Sequence, residues 1–137
     1  MEEVDTRVER GSAKGMGVEY FFDSYAAIEI IRKNPSYERF LDARIRITWL
    51  NLLEIAYIVR IQLGLESARE AFQHFREFVV EVPDGVVLEA IDFRARMRNK
   101  SFSYADCLGY VLAMKRKLTF LTGDDAFKTL PGVIFVK

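Results

Sequence analysis

Cysteine is almost missing from this 137-residue chain: Cys107 stands alone, so no internal disulfide can form. Histidine is as scarce. His74 sits among Phe72, Phe75 and Phe78 on a charged stretch with no partner pattern for proton transfer, and without a His or Cys cluster the chain offers no ordinary zinc site. No apolar run reaches the roughly 20 residues that cross a bilayer, because charge or proline interrupts each one first, so no membrane span is expected. A charged leader with an apolar stretch and a small-residue cleavage site is also lacking, which with the lone thiol leads to the expectation of a cytoplasmic protein. Net charge is absent too. The 20 Lys and Arg balance the 20 Asp and Glu, so no global field draws in a polyanion, and any such ligand has to be held by a local patch. Arg94, Arg96, Arg98 and Lys100 are the first candidates and Lys115, Arg116 and Lys117 the second; the plainer reading of both runs is a solvated helix face.

Half of the residues are hydrophobic, enough for a single domain to bury its core without crosslinks. Residues 1 to 16 mix charged and small residues without an apolar period and read as a flexible tail, leaving 17–137 as the folded domain. Val18 to Phe22 reads as a buried strand, and Ser24 to Lys33 as a helix stopped at Asn34-Pro35. Ser36 to Asp42 suits a short helix, and Arg44 to Thr48 alternates like a strand. Asn51 is expected to cap the next helix, with Glu54 three residues on in the capping-box position, until Gly64 ends it. Helix continues from Glu66 to Phe78, a short strand is expected at Val79 to Val82, and a helix follows over Val86 to Asn99, with Asp84 a cap at its start. Ser103 caps another helix, which runs into strand Leu118 to Leu121; Val133 to Val136 is the last strand. Alternating strand and helix predicts an α/β fold with a mainly parallel central sheet of about four to five strands flanked by helices.

In such sheets ligands bind beyond the carboxyl ends of the strands. Asp23 ends the first strand, Glu54 lies in the first turn of the helix after the second, and Asp124 follows Thr122-Gly123 after Leu121. Asp106 opens a helix that runs antiparallel to that strand, which brings its first turn to the same edge. Carboxylates at helix starts are also ordinary caps, so each acid alone has a structural explanation. Convergence of four is the informative feature, because carboxylates gathered about 4 Å apart repel by roughly 4 kcal/mol per pair at a surface-like dielectric, and a divalent cation relieves that. Oxygen donors alone suit Mg²⁺ or Mn²⁺. Thr122 and Ser24 are placed to orient a carboxylate or a water, or to act as simple caps. Asp125 reads as structural, Cys107 as a small packed hydrophobe, and Tyr20, Phe21 and Phe22 as core rather than a stacking platform. Trp49, Tyr57, Ile61 and Phe72 form either a homodimer face or part of the core; periodicity does not separate the two.

The segments YFFDSYAAIEI, ITWLNLLEIAY, SYADCLGYVLAMKRKLTFLTGDDAF and LPGVIFV, in that order, resemble the successive signatures of the PIN-domain family from about Tyr20 onward. In that family an aspartate closes the first strand, matching Asp23, and a glutamate opens the helix after the second, matching Glu54. The aspartates of a Ser-x-x-Asp helix start and of Thr-Gly-Asp match Asp106 and Asp124. The resemblance implies a Mg²⁺- or Mn²⁺-dependent nuclease acting on RNA and leaving 5′-phosphate and 3′-hydroxyl ends. Asp23 and Asp106 are then expected as direct ligands, and Asp124 and Glu54 as ligands directly or through water. Among small members it implies a VapC-like toxin ribonuclease, neutralised by an antitoxin that inserts a peptide into the acidic groove. The alternatives are a housekeeping PIN nuclease in RNA processing and a non-catalytic RNA- or protein-binding module. A haloacid-dehalogenase-type phosphohydrolase is disfavoured, since Ser24-Tyr25 follows Asp23 where an Asp-x-Asp pair is needed.

Overall fold

The structure, a computed structural model, describes residues 18–137; the expected tail at residues 1–16 lies outside the described residues. Four strands, β1 (Glu19–Phe22), β2 (Arg44–Arg46), β3 (Thr119–Thr122) and β4 (Val133–Phe135), pair in the order β2-β1-β3-β4, and every pairing is parallel. Parallel neighbours need long crossovers, which helices α1 (Ser24–Ile31), α2 (Trp49–Leu63), α3 (Leu65–Phe75), α4 (Asp84–Arg96) and α5 (Tyr104–Lys115) provide. The α/β expectation with about four to five mainly parallel strands therefore holds, with four.

Side-chain alternation sends the apolar centres of the strands to both faces of the sheet. Phe21 and Phe120, stacked with ring centroids 5.5 Å apart, face the α4–α5 layer, whereas Phe22, Leu121 and Ile45 face α1, α2 and α3. Burial on both faces makes consecutive positions of such a strand apolar, and polar residues stand at the strand ends. α5 lies close on β1 because Gly109 carries no side chain there: a Cβ at that position would stand 2.6 Å from the Phe21 ring. Helix ends are set locally. Gly64, at φ 98°, closes α2 and opens α3 in a backbone conformation that a side chain would strain.

Five details differ from the sequence reading, two of them at acidic residues: Glu54 is the sixth residue of α2, in its second turn and outside the capping box, and Asp84 is the first residue of α4 and makes no side-chain cap. Thr48, not Asn51, caps α2; Asn51 is the third residue of the helix and completes a reciprocal capping box with Thr48. The valine-rich segment Val79 to Val82 is no strand: only Val79 bridges, to Ile47, because Pro83 and the start of α4 turn the chain away. The segment after α1 is a six-residue 3₁₀ helix, Pro35–Phe40, capped by Asn34. Trp49, Tyr57 and Ile61 are exposed while Phe72 packs against the core, so the four residues grouped in the sequence divide between surface and interior. Among the described residues no helix is long and apolar enough to cross a membrane.

Candidate active site

All four acids stand at the carboxyl-terminal edge of the sheet, three of them placed by capping interactions and Glu54 by a hydrogen bond from Ser24. Asp23 follows β1 and caps α1: its Oδ1 accepts the Ala26 amide at 2.9 Å and its Oδ2 accepts the Thr122 hydroxyl at 2.5 Å. Thr122 ends β3, the neighbouring strand, and its Oγ1 also accepts the Asp124 amide at 2.9 Å. One buried hydroxyl thus ties the Asp23 side chain to the Asp124 backbone. Asp124 in turn caps the short 3₁₀ turn Asp125–Phe127 through the Ala126 amide at 3.0 Å. The Gly123 between them is obligatory for steric reasons, since a Cβ there would collide with the Tyr25 ring and the Val136 carbonyl.

On the α2 side a polar chain orients Glu54. The Thr48 hydroxyl donates to Asn51 Oδ1 at 2.8 Å, Asn51 Nδ2 donates to Ser24 Oγ at 3.2 Å, and the Ser24 hydroxyl donates to Glu54 Oε1 at 2.5 Å. Asn51 therefore does hold Glu54, but through Ser24 and from inside the helix. Sequence reading missed Thr48, although the Thr48-x-x-Asn51 spacing is itself a capping-box pattern. Asp106 occupies the equivalent position in α5: its Oδ2 accepts the Ser103 amide at 2.8 Å while its own amide donates to Ser103 Oγ at 3.0 Å, with Ser103 the cap as expected.

The carboxylates influence one another electrostatically. Asp23 is 2% exposed, and burial first, then the charges of Asp106 and Asp124, raise its carboxyl to about 7 against the lowering effect of its hydrogen bonds to Thr122 and Ala26. Asp106 is raised in the same direction by burial first, and by Glu54 and Asp124. Each of the four thus perturbs or is perturbed by another. Among the described residues none of them forms an ion pair, because the neighbouring cations are engaged elsewhere: Lys137 pairs with exposed Asp125 at 3.1 Å. In the present side-chain positions, no three His, Cys, Asp or Glu among the described residues stand in an arrangement that could hold a metal ion. The edge is therefore a set of converging caps rather than a ready cage. Its donor chemistry nonetheless fits a hard cation: four carboxylates, a buried one among them with no countercharge, and no nitrogen or sulfur donor in their midst.

Cys107 is buried, and burial first, then the charge of Asp106, push its thiol up to about 11, which removes it as a nucleophile. His74 lies edge-on to Phe75 and Phe78, centroids 5.2 and 5.4 Å away, and belongs to the α3 side of the fold. Of the basic runs, Arg96 pairs with Asp92, Arg98 donates to the Ala95 carbonyl, Lys115 pairs with Glu89 and Arg116 donates to the Glu81 carbonyl, as expected of solvated faces. Arg94 and Lys100 behave differently.

The family model of the PIN domain matches residues 20–133, and the chain belongs to that family. No curated protein matches it. Among solved structures, the chain is similar to VapC20 of Mycobacterium tuberculosis, described as a sarcin-ricin loop cleaving toxin, at TM-score 0.72 and 15% identity over 86% of this chain and 97% of that one. It is similar to a toxin-antitoxin complex from Klebsiella pneumoniae at TM-score 0.67 and 16% identity, covering 85% and 96%. It is likewise similar to VapBC2 from Rickettsia felis, solved with a DNA fragment from its promoter, at TM-score 0.66 and 19% identity, covering 87% and 98%. At these identities the likeness is one of fold.

Proposed function

We propose that this PIN domain is an endoribonuclease that hydrolyses RNA phosphodiester bonds with Mg²⁺ or Mn²⁺, acting in the cytoplasm as the toxin of a VapBC-type toxin-antitoxin pair. The observation that carries the reading is Asp23: a buried carboxylate without a countercharge, on one edge with Asp106, Asp124 and Glu54. Those four residues would hold the ion. When bound, a divalent ion supplies charge stabilisation at the attacked phosphate and lowers the pKa of coordinated water. The chain's own part is to aim the oxygens. Thr122 fixes Asp23 and Asp124 relative to each other, and Ser24 fixes Glu54. Asp23, raised to about 7, exchanges its proton within the physiological range, so proton and cation would compete for the same carboxylate.

Two surfaces suit protein partners. A groove between α1 and α2, lined by Tyr25, Ile28, Arg32, Ile58 and Gln62, reaches the acidic edge at Ser24 and offers an antitoxin peptide a route to it. On α2, Trp49, Leu53, Tyr57 and Ile61 are all exposed at four-residue spacing, a continuous apolar stripe that we assign to a second copy of the chain. A second reading, a binding module without turnover, draws on the fact that every one of the four acids is already committed to a hydrogen bond.

One assay decides between them. The purified chain is incubated with a labelled RNA pool in Mg²⁺, Mn²⁺ or EDTA, and the ends of any fragments are mapped. Cleavage that requires either ion and disappears in Asp23→Asn supports the nuclease; binding without cleavage in both ions leaves the binding module, and cleavage that persists in EDTA overturns the metal requirement.

A further inference from the structure

An acidic edge repels the phosphates of the substrate proposed for it, and a chain with no net charge supplies no general attraction to offset this. The compensating cations have to be fixed beside the edge. Two are, both in or next to the α4–α5 connection. Arg94 donates its Nε to the Phe102 carbonyl at 3.2 Å and lays its guanidinium over the Tyr104 ring, with Cζ 4.1 Å from the centroid. Lys100 donates its ammonium to the Ala126 carbonyl at 3.1 Å, in the turn that Asp124 caps. Of the basic run 94 to 100, these two are the members tethered against elements of the site; Arg96 and Arg98 bond within α4 or just beyond it.

Tyr104 is the first residue of α5, two positions before Asp106, and it is 64% exposed. An aromatic ring left in water forgoes its burial energy, and here the ring is neither core nor loose: Arg94 holds one face and the Phe102 carbonyl holds Arg94. A rigid ring with a free face and a guanidinium aligned with it is suited to a base and its phosphate together, since stacking accepts any base and the cation takes the anionic oxygen. Bases in a duplex have their faces occupied, so the match is to a single strand.

We propose that Tyr104 and Arg94 form the substrate platform of this edge, with a base of single-stranded RNA stacked on Tyr104 and the adjoining phosphate paired with Arg94 beside Asp106. The proposal rests on the nuclease reading for its substrate. It assigns positioning roles to two residues and no part in the bond-breaking step.

The test measures binding and turnover separately. In an Asp23→Asn background, fluorescence anisotropy with a labelled single-stranded RNA reads affinity. Tyr104→Ala is expected to weaken it about 5- to 100-fold while Tyr104→Phe stays near the parent, the range expected when one stacked base is lost. Arg94→Gln is expected to weaken it and to make the salt dependence shallower by about 0.7 in the log–log slope, as for one phosphate contact to a single strand. In the otherwise unchanged chain, Tyr104→Ala raises KM with little change in kcat, and its melting temperature stays at the parent value because the side chain is exposed. Equal affinities for the Ala and Phe variants, or a KM unmoved by Tyr104→Ala in a chain that cleaves, overturn the platform alone. A chain that cuts no RNA but binds it through Tyr104 supports the platform and overturns the nuclease reading.

Discussion

Replacing Asp23 by Asn separates the electrostatics of the acidic edge from its shape. The two side chains are nearly isosteric, and an Asn Oδ1 keeps the Ala26 amide while its Nδ2 donates to Thr122, whose oxygen has a lone pair to offer beside the one that takes the Asp124 amide. What changes is the charge. Asp23 titrates at about 7 in the fold against the model-peptide 3.8, so between roughly pH 4 and pH 7 the folded chain holds a proton that the unfolded chain has lost. Stability then falls as pH rises, by about 1.4 kcal/mol per pH unit, and levels off above pH 7. From pH 5 to pH 8 the native aspartate therefore costs about 3 kcal/mol that asparagine does not. At roughly 3–5 °C per kcal/mol for a domain of this size, the melting temperature of Asp23→Asn relative to the parent should climb by about 10 °C between those two pH values in EDTA. Paired thermal melts followed by circular dichroism measure this directly, and the effects of other titrating groups largely cancel in the difference. A difference between variant and parent that is the same at pH 5 and pH 8 refutes the account of Asp23 as a buried, uncompensated carboxylate. The variant that is more stable should also be the one that no longer cleaves, the usual conflict between an active site and its fold.

The remaining predictions probe the supports of the edge. Mg²⁺ affinity, measured by calorimetry in the parent chain, should weaken by up to about tenfold for each pH unit below 7, since the ion displaces the proton of Asp23; an affinity independent of pH contradicts this. Thr122→Val removes the donor to Asp23 and the acceptor of the Asp124 amide at once, so urea titration should report a loss of about 2–4 kcal/mol, and a loss below 1 kcal/mol argues against the two-sided role. Gly123→Ala forces a methyl group against the Tyr25 ring and the Val136 carbonyl and should destabilise by about 1–3 kcal/mol, with cleavage reduced because Asp124 moves; a fully active, equally stable variant would falsify the close-approach argument. Substituting Lys for both Tyr57 and Ile61 should convert a dimer to a monomer by light scattering while leaving the melt unchanged, and a parent chain that is already monomeric disposes of the α2 interface.

How far the sequence speaks for itself can be judged at individual positions. The sheet was legible because Phe21-Phe22 and Phe120-Leu121 are consecutive apolar residues, which only burial on both faces of a strand permits. Val79 to Val82 has high strand propensity in three of its four residues and is not a strand, because pairing depends on where Pro83 and α4 take the chain, and valines carry no record of that. Asn51 stands three residues past the cap expected of it: Thr48 and Asn51 form a reciprocal box in which either residue satisfies the cap pattern, and only the helix start distinguishes them. Tyr104 left no signal, since an exposed tyrosine and a buried one look alike until Arg94, ten residues away in sequence, is seen to lie over the ring.

The ambiguity that mattered most, cap or ligand, is resolved by neither alternative alone. Asp23 and Asp124 cap with Oδ1, Asp106 caps with Oδ2, and Glu54 is held by Ser24; capping engages one carboxylate oxygen and fixes the direction of the other. A helix start supplies the anchor, and the strand order β2-β1-β3 brings three such starts to one edge, with α5 returning the fourth acid to it. The cost of the arrangement is written in Asp23, whose proton is retained to about pH 7 because burial first, and then the charges of Asp106 and Asp124, outweigh its hydrogen bonds from Thr122 and Ala26. Positioning by caps and unrelieved repulsion are therefore the same arrangement seen from the backbone and from the carboxylates, and a cation that enters it would find oxygens already aimed and a charge already in need of a partner.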